Sequence, residues 1–210
     1  MFGVKEAYDD GDADFHTIVA KMADIPRSAA KTINLGLFYG MGKAKLQAEL
    51  GVSKDKAEEL FSIYHNRVPF VKSLTKSVSN RAQQRGQIRT LLGRLCRFHL
   101  WEPNSFGMHK ALPFEQAVQE HGPGIKRAYT YKALNKLIQG SAADMTKKSM
   151  LDLYKEGVVA HIQIHDELCV SIRDDNEAKK IVEIMENAVT LEVPNKVDYE
   201  YGSNWGDIYD

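Results

Sequence analysis

The sequence contains little of several residue types that define whole classes of protein. Its 210 residues include only two cysteines, Cys96 and Cys169, which stand far apart and in no metal-binding or redox spacing. This excludes a disulfide scaffold and favours reduced thiols in an intracellular protein. No apolar run approaches the roughly 20 residues of a membrane span, so an integral membrane protein is excluded. The acidic opening also lacks the basic and apolar regions of a secretory signal.

A formal net charge of zero conceals an uneven distribution of charge along the chain. Residues 1–20 carry one basic and five acidic side chains, whereas residues 21–100 carry fifteen basic and five acidic ones, a net charge of +10. Residues 101–210 carry twelve basic and eighteen acidic side chains, a net charge of −6. A segment with a net charge of +10 attracts polyanions. The alternative interpretation is that these basic residues simply lie on the solvent-exposed faces of helices.

Apolar periodicity and breaker residues predict an α+β fold in which helices dominate the first half. Asp24 and Pro26 mark one helix start, with Asp24 as the N-cap, and Gly40 marks its end. The predicted helices cover 27–39, 53–68, 69–86, 128–156 and 176–189. The predicted strands cover 87–92, 158–164, 168–172 and 197–201, and residues 97–124 are predicted to form a long loop with one helical turn.

Four residues spaced four apart, Arg27, Lys31, Leu35 and Tyr39, lie on the first of these helices. Because each step of four advances only about 40° beyond a full turn, their side chains form a stripe on one face. The two cations lie near the positive N-terminal end of the helix, where phosphate groups bind readily, and a tyrosine further along can stack on a base. A surface helix with a basic edge is the alternative interpretation.

The residues His165-Asp166-Glu167 separate two short apolar, β-branched runs, a pattern that predicts a β-hairpin. Two adjacent acids between buried strands are costly unless a positive charge neutralises them. A tight turn aims both carboxylates outward, an arrangement that suits a divalent cation. An ordinary charged turn is the alternative interpretation.

Asn135 and Gln139 lie one turn apart on the predicted long helix, beside the small-residue run 140–143. Close packing at this run would fix the two amides, which are suited to the acceptors of a nucleic-acid minor groove. Asp144 is interpreted as a surface residue. The histidines other than His165, His16 among them, form no ligand spacing and are interpreted as structural or surface groups.

Together these segments resemble DNA polymerase family A, the group of bacterial DNA polymerase I and many phage enzymes. RSAAKTINLGLFYG (27–40) resembles motif B of the fingers, and QIHDELCVSI (163–172) resembles motif C of the palm hairpin. NKLIQGSAADM (135–145) and TLLGRL (90–95) resemble two further stretches of the family. The resemblance implies part of a right-hand polymerase, with residues 1–95 mostly in the fingers and residues 96–210 in the palm. Motif B would then lie at about 24–40 and the motif C hairpin at about 158–172.

The resemblance also implies nucleotide and metal contacts at the matching positions. Arg27 and Lys31 would grip the triphosphate of the incoming dNTP, and Tyr39 would stack near the templating base. Asp166 would bind two Mg²⁺ ions, and Glu167 would support that metal site. The implied reaction is two-metal phosphoryl transfer from a dNTP to a primer 3′-hydroxyl.

The DNA contacts implied by the resemblance involve a further set of residues. His165 would contact the primer terminus, and Asn135 and Gln139 would contact the minor groove of the newest base pairs. Gly40 would lie at the templating base, and Arg94 belongs to the T-x-x-G-R stretch that would contact DNA.

Two features differ from the bacterial members of the family. Leu35 is a nucleotide-binding position where the family usually has Phe or Tyr, the residue that senses the 3′ side of the sugar. Leucine there occurs in some phage-type members, and the region 98–128 is longer than in the bacterial enzymes. A viral origin and a location in the host cytoplasm are therefore expected.

The family's motif A, D-x-S-x-x-E, does not occur in the sequence. Asp9, Asp10, Asp12 and Asp14 stand where the family has an acidic surface loop. A two-metal site needs carboxylates from both motifs, so a second polypeptide is expected to supply motif A, the thumb and any exonuclease domain, either because the gene is naturally split or because the sequence is a piece of a longer protein. The Mg²⁺ ions would be shared between the two chains, and primer-template DNA and dNTPs would bind the assembled pair.

Two other functions are compatible with parts of the pattern. One is a non-catalytic DNA-binding accessory subunit with a polymerase-like shape. The other is a metal-dependent nuclease that uses Asp166 and Glu167. Both leave the stripe from Arg27 to Tyr39 without a function.

Overall fold

The computed structural model describes residues 14–38, 43–105 and 107–208, and it confirms the predicted α+β class. The described helices are α1 (Phe15–Ala23), α2 (Arg27–Phe38), α3 (Lys43–Leu50), α4 (Lys54–Arg67), α5 (Pro69–Arg85), α6 (Phe114–His121), α7 (Ala133–Lys155) and α8 (Asp175–Asn187). The described strands are β1 (Gln87–Arg89), β2 (Leu95–Arg97), β3 (Leu100–Pro103), β4 (Leu112–Pro113), β5 (Ile125–Arg127), β6 (Ile162–Ile164) and β7 (Glu167–Cys169). Two short 3₁₀ segments, Thr130–Lys132 and Trp205–Ile208, complete the described elements.

The chain divides into two compact units, with the boundary inside α7 between Ser141 and Ala142. The division predicted from family resemblance, fingers up to 95 and palm from 96, is a functional one and stays a prediction. None of the described helices is both long and apolar enough to cross a membrane.

The unit that ends at Ser141 has a helical core built from α1, α2, α4 and the start of α5. Its most deeply buried side chains include Val19, Ile33, Tyr64 and Val71, each at most 1% exposed. Tyr64, near the end of α4, places the apolar face of that helix in this core. Four helices converge on these side chains, so α1 and α2 are held firmly against each other.

Capping residues explain where several of these helices begin and end. Ser53 is the N-cap of α4, and its Oγ accepts a hydrogen bond from the Lys56 amide at 3.2 Å. Gly86 ends α5 in the left-handed conformation with φ 67°, as predicted. The prediction for Asp24 was wrong, because this residue is the C-cap of α1, with φ 55°, and not the N-cap of α2.

The region 97–124 contains strands β3 and β4, so the predicted long loop was wrong, although the single helical turn predicted within it corresponds to the longer helix α6. Strand β3 lies at the centre of a three-stranded antiparallel sheet in the order β4–β3–β5. Trp101 pairs with Leu112 on one side and with Arg127 on the other. These strands are two to four residues long, too short for a recognisable alternation, and their partners are distant in sequence.

The unit from Ala142 contains the predicted hairpin of β6 and β7, which forms a two-stranded sheet. The expectation that its strands are buried was wrong, since Ile162 is 42% exposed. The predicted strand at 197–201 was also wrong, because these residues form no ladder. Val197 instead donates its amide hydrogen to Glu186 Oε1 at 3.0 Å.

Candidate active site

The first residue of α2, Arg27, is held in place by the N-terminal end of α1. Its Nε donates to Asp14 Oδ2 at 2.7 Å and lies 3.2 Å from the Thr17 hydroxyl oxygen. Asp14 is also the N-cap of α1 and accepts from the amides of His16 and Thr17. No described residue bonds the two Nη groups of Arg27, and the side chain is 58% exposed. The guanidinium is therefore oriented through Nε while its two outer donors face solvent.

The Asp14 carboxylate carries its negative charge at all ordinary pH values. Hydrogen bonds from the Thr17 hydroxyl, from Arg27 and from two backbone amides hold its pKa well below the usual range, against a smaller opposing effect of burial. The Arg27–Asp14 pair is exposed, so its value lies in orienting the guanidinium more than in stabilising the fold.

Lys31 lies one turn after Arg27, as the spacing predicted. Its side chain is exposed and has no hydrogen-bond or ion-pair partner among the described residues. Leu35 follows on the same stripe and is 39% exposed. Tyr39 and Gly40 lie outside the described residues. The described part of the stripe thus presents two cations and an apolar side chain to solvent.

A buried hydrogen-bonded relay next to this stripe was missed by the sequence analysis. Tyr64 and Asn34 are fully buried, and the Tyr64 hydroxyl donates to Asn34 Oδ1 at 2.5 Å. With its oxygen occupied, the Asn34 amide donates to His16 Nδ1 at 3.1 Å. The His16 ring is thereby fixed with its proton on Nε2. The signal in the sequence was Asn34 itself, a polar residue in an otherwise apolar stretch of α2.

We predict that Tyr64→Phe lowers the free energy of unfolding by about 1–2 kcal/mol near neutral pH, because it leaves the buried Asn34 oxygen unpaired. Burial raises the pKa of Tyr64 well above the usual value of 10.0 for a tyrosine. In the unfolded chain this tyrosine ionises near pH 10, while the folded protein retains the proton. The stability that Tyr64 contributes is therefore complete below about pH 9 and declines as the pH rises above about 10.

Urea unfolding of the wild type and of Tyr64→Phe at about pH 8 and pH 10.5 measures this effect. The difference between the two proteins should shrink by about 1 kcal/mol at the higher pH. Tyr154→Phe changes a ring that is 69% exposed and is the matched control, with no expected change in stability. A difference that stays constant or grows with pH contradicts the prediction.

The acidic hairpin has a two-residue turn, His165-Asp166, because Ile164 pairs directly with Glu167. His165 adopts φ 53°, and its carbonyl accepts from Gln163 Nε2 at 2.7 Å. His165, Asp166 and Glu167 are all exposed. The Asp166 carboxylate has no hydrogen-bond or ion-pair partner among the described residues. The turn therefore presents this carboxylate to solvent at the tip of the hairpin, as predicted.

Glu167 lies beside a thiol on the same strand. The Cys169 Sγ donates to Glu167 Oε1 at 3.5 Å. Burial and the neighbouring Glu167 carboxylate raise the pKa of the Cys169 thiol, so it stays protonated. A protonated thiol does not compete with the carboxylates for a hard divalent cation.

The donors at this hairpin fit part of a magnesium site. Asp166 and Glu167 supply carboxylate oxygens, the ligands that Mg²⁺ prefers. The described residues contain no group of three or more His, Cys, Asp or Glu side chains that could hold a metal ion. Further ligands from outside the described residues are therefore needed to complete such a site.

On α7 the predicted minor-groove residues lie in different environments. Gln139 is exposed, whereas the Asn135 Nδ2 atom is buried and has no hydrogen-bond partner among the described residues. A buried donor without a partner costs free energy and calls for an explanation, of which a ligand is one.

The T-x-x-G-R stretch docks the β1–β2 hairpin onto α7. Arg94 Nη2 donates to the Gly140 carbonyl at 2.8 Å, and the Leu91 amide donates to Ser141 Oγ at 2.9 Å. A Cβ on Gly140 would lie 2.8 Å from Thr90 Cγ2, so only glycine permits this approach. The small-residue run is thus closely packed at Gly140 and Ser141, as expected, but this packing leaves Gln139 exposed. The DNA contact predicted for Arg94 stays a prediction.

Asp144 is buried at 8% exposure, which contradicts its interpretation as a surface residue. It lies on α7 within the stretch that resembles the family. The small residues around it, at 140–143, carried the signal for close packing, but their pattern does not show which helix face is covered.

Comparisons with known proteins identify the family. The family profile described as DNA polymerase family A matches residues 4–207. The DNA-directed DNA polymerase of Pseudomonas phage M6 is 33% identical over 94% of this chain and 32% of its own length. DNA polymerase I of Bacillus caldotenax is 34% identical over 86% of this chain and 20% of its own length. The chain belongs to DNA polymerase family A.

A solved structure agrees with this assignment. The POL domain of Pol1 from M. smegmatis, in complex with DNA primer-template and dNTP, covers 100% of this chain with a TM-score of 0.78 and 28% identity. The chain covers 37% of that structure, and it spans between a fifth and a third of the length of the two curated relatives.

Proposed function

We propose that this chain is part of a template-directed DNA polymerase that adds dNTPs to a primer 3′ end. The observation that carries the proposal is the exposed Asp166 carboxylate, free of protein partners among the described residues, at the tip of a two-residue hairpin turn in the stretch that resembles motif C. Membership of family A supports the same reaction.

In this proposal Arg27 and Lys31 bind the triphosphate of the incoming nucleotide. Asp14 and Thr17 hold the Arg27 guanidinium through Nε, so both Nη groups can form a fork to phosphate oxygens. Lys31 adds a point charge one turn along the helix. Preorganised cations of this kind stabilise negative charge that develops on the leaving pyrophosphate. Leu35 then lies at the sugar, where its aliphatic side chain can make only apolar contact.

Asp166 and Glu167 would hold divalent ions in the complete enzyme. The chemistry that magnesium supplies at such carboxylates is activation of a hydroxyl nucleophile and neutralisation of charge on the transferred and leaving phosphates. Asp166 contributes a carboxylate that needs no rearrangement, because no described residue competes for it. His165 would contact the primer terminus from the neighbouring turn position.

The proposed contacts to duplex DNA involve Asn135, Gln139 and Arg94. The buried Asn135 donor, which has no partner among the described residues, would gain an acceptor on a base edge, and Gln139 already faces solvent. Arg94 holds the β1–β2 hairpin through Gly140, and we place its guanidinium near the DNA backbone.

We place the second metal-binding aspartate on another polypeptide, which also carries the thumb and any exonuclease domain. The pattern D-x-S-x-x-E is absent from residues 1–210. The β6–β7 pair forms a two-stranded sheet with half-exposed apolar residues, and such a hairpin is marginal unless further strands cover it. A partner strand that carries motif A would cover this edge and bring its aspartate to Asp166.

Reconstitution tests the proposal. The chain is purified alone and also together with the product of the neighbouring upstream reading frame, and single-nucleotide incorporation on a primer-template is measured with Mg²⁺. We expect no incorporation by the chain alone and restoration of synthesis by the pair.

Each other outcome has a distinct meaning. Full activity of the isolated chain contradicts the need for motif A from elsewhere. Activity only when an upstream segment is joined to the same polypeptide contradicts the two-chain proposal but supports the role of Asp166. Cleavage of DNA with Mg²⁺ and without nucleotides would favour the nuclease interpretation.

A further inference from the structure

The segment between β5 and α7 displays two aromatic rings on a single short turn. Tyr129 is 39% exposed and Tyr131 is 52% exposed. Tyr129 adopts φ 61°, a left-handed conformation that is costly for a bulky residue. The residues that flank this turn, Ala128 and Ala133, are buried at 1% and 0% exposure. The turn is thus anchored at both ends, while its rings are kept out of the core.

A lysine ammonium group lies close to both rings. Lys132 Nζ is 5.2 Å from the Tyr129 ring centroid and 5.5 Å from the Tyr131 ring centroid. The Lys132 amide donates to the Tyr129 carbonyl at 2.9 Å, which closes the turn. Rings and cation therefore form one compact surface, here called the Tyr129–Lys132 patch and consisting of residues 129–132.

Lys132, the cation of the patch, has no acidic partner among the described residues, whereas nearby Lys126 pairs with Glu102 at 3.7 Å. Residues 125–136 contain four basic side chains and no acid. Lys132 and Lys136 lie four residues apart, where like charges repel, and neither has an ion pair among the described residues. A bound polyanion would relieve this repulsion.

The backbone beneath the patch is firmly held. Arg127 lies over the Trp101 ring at 4.4 Å and donates to the Phe98 carbonyl at 3.0 Å. The Ala128 amide donates to the Leu100 carbonyl at 2.8 Å. Binding at the patch would therefore order few additional groups, which keeps the entropic cost of association low.

We propose that the Tyr129–Lys132 patch binds single-stranded DNA, with bases stacked on the two tyrosine rings and a backbone phosphate on Lys132. Flat aromatic rings beside a cation are the usual recognition chemistry for unpaired nucleotides. A duplex keeps its bases stacked on one another, so it offers the rings no base face. A protein partner is a poorer match, since lysine is depleted in protein–protein interfaces. In the proposed polymerase the bound strand would be unpaired template, but binding itself requires neither metal nor dNTP.

Fluorescence anisotropy of the 210-residue chain with labelled oligo(dT) of about 15 nucleotides tests the inference, with a hairpin duplex as the second probe. Tyr131→Leu should weaken oligo(dT) binding about tenfold, and Tyr131→Phe should retain it within about twofold, because the ring is kept. Lys132→Gln should reduce the slope of log affinity against log salt by about 0.7. Tyr154→Leu and Lys179→Gln, which change exposed side chains in the other compact unit, are the matched controls.

The outcomes separate this inference from the polymerase proposal. An unchanged oligo(dT) affinity in Tyr131→Leu, or an unchanged salt slope in Lys132→Gln, overturns the inference. An equal loss of duplex and single-strand binding also overturns it, since the patch would then bind duplex. The protein could bind oligo(dT) through Tyr131 and yet never incorporate nucleotides. That result would support single-strand binding at the Tyr129–Lys132 patch and would contradict only the polymerase proposal.

Discussion

Asp166→Asn is expected to reduce nucleotide incorporation by the reconstituted polymerase by at least about 1,000-fold. The substitution keeps the size of the side chain but removes the negative charge, and a loss of about 4 kcal/mol of transition-state stabilisation corresponds to this factor. Asp166 is exposed and has no partner among the described residues, so the fold loses no contact. The melting temperature should therefore equal that of the wild type, and the Kd for primer-template DNA should remain within about twofold of the wild-type value.

Single-nucleotide incorporation under pre-steady-state conditions measures this effect. Asp198→Asn is the matched control, because it makes the same change at an exposed aspartate of the same compact unit. Incorporation at the wild-type rate by Asp166→Asn would overturn the catalytic proposal and favour the non-catalytic accessory subunit. Loss of primer-template binding in the variant would show that Asp166 acts on DNA affinity, which the proposal does not expect.

Lys31→Gln is expected to lower kcat/KM for dNTP by about 100-fold, with a rise in KM and a fall in kcat. Removing one preorganised donor to developing charge typically costs a factor of about 100 to 1,000. Lys31 is exposed on α2 and has no ion pair among the described residues. Its replacement therefore removes no contact with the described residues. Arg27, one turn earlier and already oriented by Asp14, would keep part of the triphosphate contact.

The dependence of incorporation rate on dNTP concentration gives KM and kcat separately. Lys76→Gln, at an exposed lysine on α5 of the same compact unit, is the control for the loss of one positive charge. If Lys31→Gln weakens primer-template binding but leaves the dNTP dependence unchanged, the stripe binds DNA and not the nucleotide. A variant with wild-type kinetics would favour the surface helix with a basic edge.

Local patterns in the sequence were sufficient to predict most of the helices. The predicted helix start at Ser53 and helix end at Gly86 depend on features that act within one or two turns, and the structure confirms both. The acidic hairpin was predicted for the same reason, since a short turn between two apolar runs is a local feature, although the turn has two residues where three were predicted. The helix α1 was missed, because an acidic stretch concealed its N-cap Asp14.

Features that depend on distant pairing were predicted poorly. The sheet around Trp101 was predicted to be a loop, since its strands have two to four residues and pair with segments far along the chain. The relay to His16 joins Asn34 to Tyr64 across 30 residues of sequence, and no local spacing indicates it. The strand predicted at 197–201 is the opposite case. These residues have a composition that favours a strand, but no neighbouring strand among the described residues pairs with them.

The amino-acid sequence by itself determined which helices form, where the acidic turn lies and which cations share a stripe, because periodicity and capping act between near neighbours. Only the tertiary structure decided that Asp14 orients Arg27, that Asn34 fixes the His16 ring and that Tyr129 and Tyr131 stand outside the core. Those arrangements depend on contacts between helices and strands that meet only after the chain has folded, and the energy of such contacts is set by packing in three dimensions.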